Sequence, residues 1–109
     1  MLKLSIILPF YNVESYIEEC IRSLYNQDIL QEEYEVICVD DCSIDGTREW
    51  LREQVINHCN LFIVENEVNI RQGGARNIGV KKARGKYLMF IDKHTITIVL
   101  SFVNTFLSF

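Results

Sequence analysis

Four short polar clusters interrupt this sequence, and each holds side chains able to recognise a ligand: Pro9-Phe10-Tyr11-Asn12, Asp40-Asp41-Cys42-Ser43, Glu65-Asn66-Glu67 and Asp92-Lys93-His94. Tyr11 offers a flat face on which a nucleobase can stack, worth about 1–3 kcal/mol at base–aromatic contacts. It equally suits a partly buried packing role. Asp41 offers a carboxylate acceptor. Uracil presents an N–H at its pairing edge where cytosine presents a lone pair, so a carboxylate there selects uracil through a charge-assisted bond of about 1.5–3 kcal/mol. The alternative use of Asp41 is a turn or helix-capping aspartate. Arg76 can meet a diphosphate, aided by nearby backbone N–H groups, or stand solvated on its helix.

Other chemistries find little support. Gly73, Gly74 and Gly79 follow the wrong strand for a dinucleotide fingerprint, and no Gly-x-Gly occurs. Gly79-Val80-Lys81-Lys82 lacks the Gly-Lys-Ser/Thr ending of a phosphate-binding P-loop. Cys20, Cys38, Cys42 and Cys59 form no Cys-x-x-Cys pair, and His58 and His94 sit at no zinc spacing. Cys20 and Cys38 read as small buried hydrophobes. The net charge of −4 leaves no basic surplus for a nucleic-acid partner or a polybasic membrane contact. No signal peptide is expected in the first residues, so the expected compartment is the reducing cytoplasm, including the inner face of the membrane.

Elements that could position these clusters follow from periodicity. The apolar runs 3–8, 34–39, 61–65 and 86–91 predict four buried strands, the first ended by Pro9. Helical spacing predicts helices over 14–25, with Asn12 as N-cap, over 47–57, burying Trp50, Leu51 and Val55, and over 75–83. Residues 41–46 carry turn chemistry, 67–74 read as an irregular loop with paired glycines, and Gly85 reads as a helix stop. Alternating strands and helices predict an α/β fold with a mainly parallel four-stranded sheet and helices on both faces. Such sheets bind ligands beyond the carboxyl ends of their strands, where all four polar clusters would meet. With 109 residues there is room for one domain, assigned to 1–94. The segment 95–109, TITIVLSFVNTFLSF, is an atypical apolar tail, short for a membrane span.

These blocks resemble the inverting family 2 glycosyltransferases of the GT-A fold. SIILPFYNVESYIEECIRSLYNQ resembles their opening strand and helix. YEVICVDDCSIDGT resembles their Val-Asp-Asp-Gly-Ser-x-Asp-x-Thr turn, with Cys42 in place of the glycine. NEVNIRQGGARNIGVKKARGKYLMFID resembles their Asn-x-Gly-x-x-x-Ala-Arg-Asn-x-Gly block and the strand leading to the metal motif. The resemblance spans residues 2–92. It implies a Rossmann-like nucleotide-binding half, a nucleotide-sugar donor, most often a UDP-sugar, and a divalent Mn2+ or Mg2+ bridging the diphosphate. It implies that Pro9 and Tyr11 border the base, that Glu14 and Asp41 lie in the nucleotide pocket, and that Arg76 lies near the nucleotide. Asp92 falls on the first aspartate of the metal motif.

Departures from the pattern bear on activity. The family continues Asp-Ser-Asp-Asp where this chain has Asp92-Lys93-His94-Thr95. His94 in a metal-ligand position supplies no negative charge, and Lys93 brings a cation. The acceptor half and the general base of the family lie beyond the metal motif, and an inverting transfer requires that base. The expectation is a donor-binding domain for transfer to a polysaccharide, lipid or protein acceptor, truncated and inactive as this chain. The alternative is a non-catalytic nucleotide-binding or interaction module that uses the apolar tail as its contact surface.

Overall fold

The computed structural model describes residues 2–26 and 30–91. Asp92, His94 and the apolar tail lie outside them, as do the domain boundary at 94 and the metal assignment. The elements run β1 (Leu4–Phe10), α1 (Ile17–Tyr25), a single 3-10 turn (Gln31–Glu33), β2 (Tyr34–Asp40), α2 (Thr47–Asn57), β3 (Leu61–Glu65), α3 (Arg71–Lys82) and β4 (Tyr87–Phe90). The sheet order is β3-β2-β1-β4, and every pairing is parallel.

Right-handed crossovers explain where the helices lie. The chain steps from β1 to β2 to β3 in one direction, which puts α1 and α2 on one face. The return from β3 past β1 to β4 reverses direction and puts α3 on the other. Two apolar cores result. Leu4, Ile6, Leu8, Val36 and Cys38 pack with Ile17, Ile21 and Leu24 of α1 and Leu51 of α2. Ile37 and Val39 pack with Ala75 of α3. The strand order reverses between β1 and β4, which is where a sheet of this kind opens a ligand crevice.

Several boundaries differ from the periodicity, each for a tertiary reason. Pro9 does not end β1 but lies inside it, opposite Val39. Its missing N–H is harmless there. The Ile7 carbonyl accepts from Ile91 on the β4 side, and two residues on, Pro9 faces that same side past the end of the β4 ladder at Phe90. Asn12 is not an N-cap. It has φ 51, and α1 begins at Ile17 with no side-chain cap. Residues 67–74 are not all loop, because α3 starts at Arg71 and includes Gly73 and Gly74. Glycine disfavours a helix by about 1 kcal/mol each, a cost that packing against β1 and β2 overrides.

The outer strands are less buried than expected. β2 is buried throughout, but Phe62 on β3 and Tyr87, Leu88 and Phe90 on β4 are exposed. Each outer strand has a neighbour on one side only among the described residues. Val55, expected in the core, is exposed, while Leu51 is fully buried and Trp50 packs at the core edge. Gly79 lets α3 lie directly on β1, since a Cβ there would collide with Ile7. Gly85 does not act through a left-handed cap. A Cβ at this position would come within 2.6 Å of the Ser5 backbone N, so the requirement is close approach to β1.

Candidate functional site

The loops following β1 and β2 are stitched together side chain to backbone. The Asn12 N–H donates to Ser43 Oγ at 3.0 Å, and Asn12 Oδ1 accepts the Ile44 N–H at 2.9 Å. The Val13 N–H donates to Thr47 Oγ1 at 2.9 Å, and the Glu14 N–H to Asp45 Oδ2 at 3.2 Å. Glu14 Oε1 accepts the Gly46 N–H at 3.0 Å. Asp45 Oδ1 meanwhile takes the Thr47 N–H at 2.9 Å, satisfying a donor at the start of α2. Partial desolvation would raise the Asp45 pKa, but the hydrogen bonds from Thr47 and Glu14 outweigh it and hold the carboxyl below the usual carboxylate range. Residues 41–46 are turn chemistry, as expected, and their side chains also serve the neighbouring loop.

Beside this clasp lies a second network around the paired aspartates. Asp40 is fully buried at the end of β2. Its Oδ2 accepts from Arg48 Nε at 2.6 Å and from the Ser43 N–H at 3.3 Å. Its Oδ1 is buried without a partner among the described residues. Burial would lower the Arg48 pKa, but the bond and charge of Asp40 raise it, so the guanidinium stays charged. Arg48 Nη2 reaches on to the Asn66 carbonyl at 2.7 Å. Asn66 Nδ2 donates to Asp41 Oδ1 at 3.0 Å, and the Ile70 N–H donates to the same oxygen at 2.9 Å. Asp41 is buried, and both of these bonds fall on Oδ1, with none to Oδ2 among the described residues.

Pro9, Tyr11, Glu14 and Asp41 all fall on the two joined loops or on the strand ends that carry them. Tyr11 is 48% exposed, a ring open to solvent at the end of β1. The Glu14 carboxylate lies on the Gly46 N–H, so it binds the two loops to each other. Arg76 stands on α3, whose start is tied to Asp41 through Ile70. Its guanidinium carbon lies 5.8 Å from the Phe90 ring centroid at the end of β4, and its Nε is buried without a partner among the described residues. Strands β1 and β2 thus bring an exposed aromatic and a buried carboxylate to one end of the sheet, and α3, which starts beside that carboxylate, carries Arg76 with its unpartnered Nε. Among the described residues no group of three or more His, Cys, Asp or Glu could hold a metal ion. No helix among them is long and apolar enough to cross a membrane.

Sequence reasoning missed Arg48, Asn66, Ser43 and Thr47. Ser43 and Asn66 stood in clusters already singled out, and Thr47 at the start of an expected helix, but none of them carried a partner in sequence. Two residues beside the site are also held at positive φ, Cys42 at 66° and Arg71 at 67°.

Residues 5–97 match the family model described as Glycosyl transferase family 2. The chain is similar to a poly(ribitol-phosphate) beta-glucosyltransferase of Bacillus spizizenii, 42% identical over 92 residues, covering 84% of this chain and 14% of that protein. It is similar to the putative teichuronic acid biosynthesis glycosyltransferase TuaG of Bacillus subtilis, 38% identical over 88 residues, covering 81% of this chain and 34% of that protein. The solved structure of S. aureus TarS in complex with UDP-GlcNAc superposes with a TM-score of 0.77 at 37% identity, over 95% of this chain and 32% of that one. The mannosyltransferase PcManGT of Pyrobaculum calidifontis, in complex with GDP-Man and Mn2+, superposes with a TM-score of 0.77 at 30% identity, over 83% of this chain and 27% of that one. The chain thus spans between about a seventh and a third of the length of these proteins.

Proposed function

Because the chain belongs to glycosyl transferase family 2 and has a GT-A glycosyltransferase domain fold, we propose that the crevice beyond β1, β2 and β4 binds a UDP-sugar donor. The glycosyl group goes to a hydroxyl of a polysaccharide-type acceptor, in the cytoplasm or at the inner face of the membrane. What supports this reading is the placement of Tyr11 and Asp41 on the joined loops after β1 and β2, with Asp41 Oδ1 already occupied and Arg76 Nε on α3 unsatisfied. Tyr11 stacks on the base beside Pro9. Asp41 Oδ2 accepts the uracil N–H. Arg76 faces the diphosphate, whose oxygens match its donors. Glu14 supports the pocket wall from the clasp. The relatives crystallised with UDP-GlcNAc and with UDP lend support to a uridine donor.

Mn2+ or Mg2+ is the cation the family leads one to expect. Asp92, Lys93 and His94 supply one carboxylate, an ammonium and an imidazole, a donor set poorly suited to a hard divalent ion. Donor recognition in this chain therefore rests on base and diphosphate contacts. Titration of UDP into the 109-residue chain tests this. Saturable binding that Tyr11→Ala and Arg76→Ala each weaken about tenfold or more is expected. An absence of binding at millimolar UDP would overturn it.

A further inference from the structure

We propose that Arg48 and Asn66 are positioning residues for base selection, a role that rests on Asp41 reading the base. Together they hold the Asp41 carboxylate so that Oδ1 is consumed within the protein and Oδ2 alone is left for a base N–H. A carboxylate on a short side chain can swing about two torsions, and recognition of one edge proton requires it to be held to within a fraction of an ångström.

The holding is a closed relay with no slack. Asp41 Oδ1 takes two donors, Asn66 Nδ2 and the Ile70 N–H. Asn66 is itself fixed on both sides of its backbone, because its N–H donates to the Asp40 carbonyl at 2.9 Å and its carbonyl accepts from Arg48 Nη2. Arg48 is fixed in turn by Asp40 Oδ2. The Asp40 side chain is fully buried and has no water to fall back on, and that of Arg48, 15% exposed, has little. The fork of a guanidinium is what allows one side chain to grip Asp40 through Nε and Asn66 through Nη2 at once. A lysine offers one ammonium and cannot reproduce both contacts in that plane.

The test is the ratio of UDP to CDP affinity, measured by calorimetry on the 109-residue chain. The wild-type chain is expected to prefer UDP, and Asp41→Asn to abolish that preference. Arg48→Lys keeps a cation on Asp40 but loses the grip on Asn66, and Asn66→Ala removes one donor to Oδ1. Each should lower the ratio about tenfold. Because the two residues act in series, the double variant should lose no more than either single. Should Arg48→Lys fail to fold, Asn66→Ala, which leaves the Asp40–Arg48 pair intact, carries the test. A ratio unchanged in both variants while Asp41→Asn abolishes it overturns the positioning role and leaves the base assignment standing. A wild-type ratio of one overturns the base assignment, and the selection role with it.

Discussion

Thr47 Oγ1, fully buried at the first residue of α2, accepts the backbone N–H of Val13 at 2.9 Å from the loop after β1. This bond closes a clasp in which residues more than thirty positions apart hold the two loops in one geometry. Thr47→Val preserves shape and strands the Val13 donor in a buried site. It should cost about 1–3 kcal/mol. Thr47→Ser, which retains the acceptor, should cost about 1 kcal/mol for the lost methyl. Urea denaturation of both variants separates the hydroxyl from the methyl.

Cys42 and Arg71 sit at φ 66° and 67°, a region costly for any residue with a Cβ. The family blocks that this sequence resembles carry glycine at both places. Arg71→Gly should therefore stabilise the chain by up to about 1 kcal/mol, raising Tm by about 4–8 °C for a domain of this size. Arg71→Ala keeps the Cβ and should give no such gain. Thermal melts of the pair distinguish backbone relief from loss of charge.

Acid should destabilise the fold through Asp45 and Glu65. Both carboxyls titrate below their ordinary values, Asp45 because hydrogen bonds from Thr47 and Glu14 outweigh its desolvation, Glu65 through its bond to Arg52. A group whose folded pKa is depressed contributes stability above its unfolded pKa and loses it as pH falls through the folded one. With ordinary values of 3.8 and 4.5, the loss begins near pH 4.5 and continues below 3.8. Asp45→Asn should flatten this acid limb more than Arg52→Gln, because Arg52 is exposed and its pair with Glu65 is screened. Denaturation midpoints from pH 7 down to about pH 3 check the order.

The Glu35 carboxylate is buried at the opposite end of the sheet. It accepts from Ser5 Oγ at 2.6 Å, from the Arg84 N–H at 2.7 Å and from Arg84 Nε at 3.2 Å. Glu35→Ala removes all three bonds at once and should cost about 3 kcal/mol or more. Arg84→Ala should cost far less, since the Arg84 side chain is 64% exposed and the backbone N–H remains to meet the carboxylate. Chemical denaturation of the two single variants gives the comparison.

Restoring carboxylate to the metal motif should restore metal dependence. Lys93→Ser combined with His94→Asp removes one cation and adds one anion beside Asp92. UDP affinity in Mn2+ should rise about tenfold or more over the parent, with little change in its absence. Titrations with and without Mn2+ in both chains read this out.

The four strands and three helices were legible in the sequence, and with them the positions of Pro9, Tyr11 and Asp41 at or just past the ends of β1 and β2. Hydrophobic periodicity reports burial directly, and parallel topology sends every strand end to the same edge. The clasp between Asn12, Glu14, Ser43, Asp45 and Thr47 and the relay from Asp40 through Arg48 and Asn66 to Asp41 were decided only by tertiary structure. The partners that join the two loops lie 31 to 34 residues apart and those of the relay 3 to 25, and hydrogen-bond reach is set by strand register and loop path rather than by spacing in the chain. The same cause moved the start of α3. Gly73 and Gly74 read locally as a loop, but once α3 lies on β1 and β2 the helix is worth more than the two glycines cost it. Pro9 shows the converse. Proline ends a strand when its missing donor is needed, and here β1 runs past the described end of its neighbour β4, so nothing among the described residues on that side asks for one.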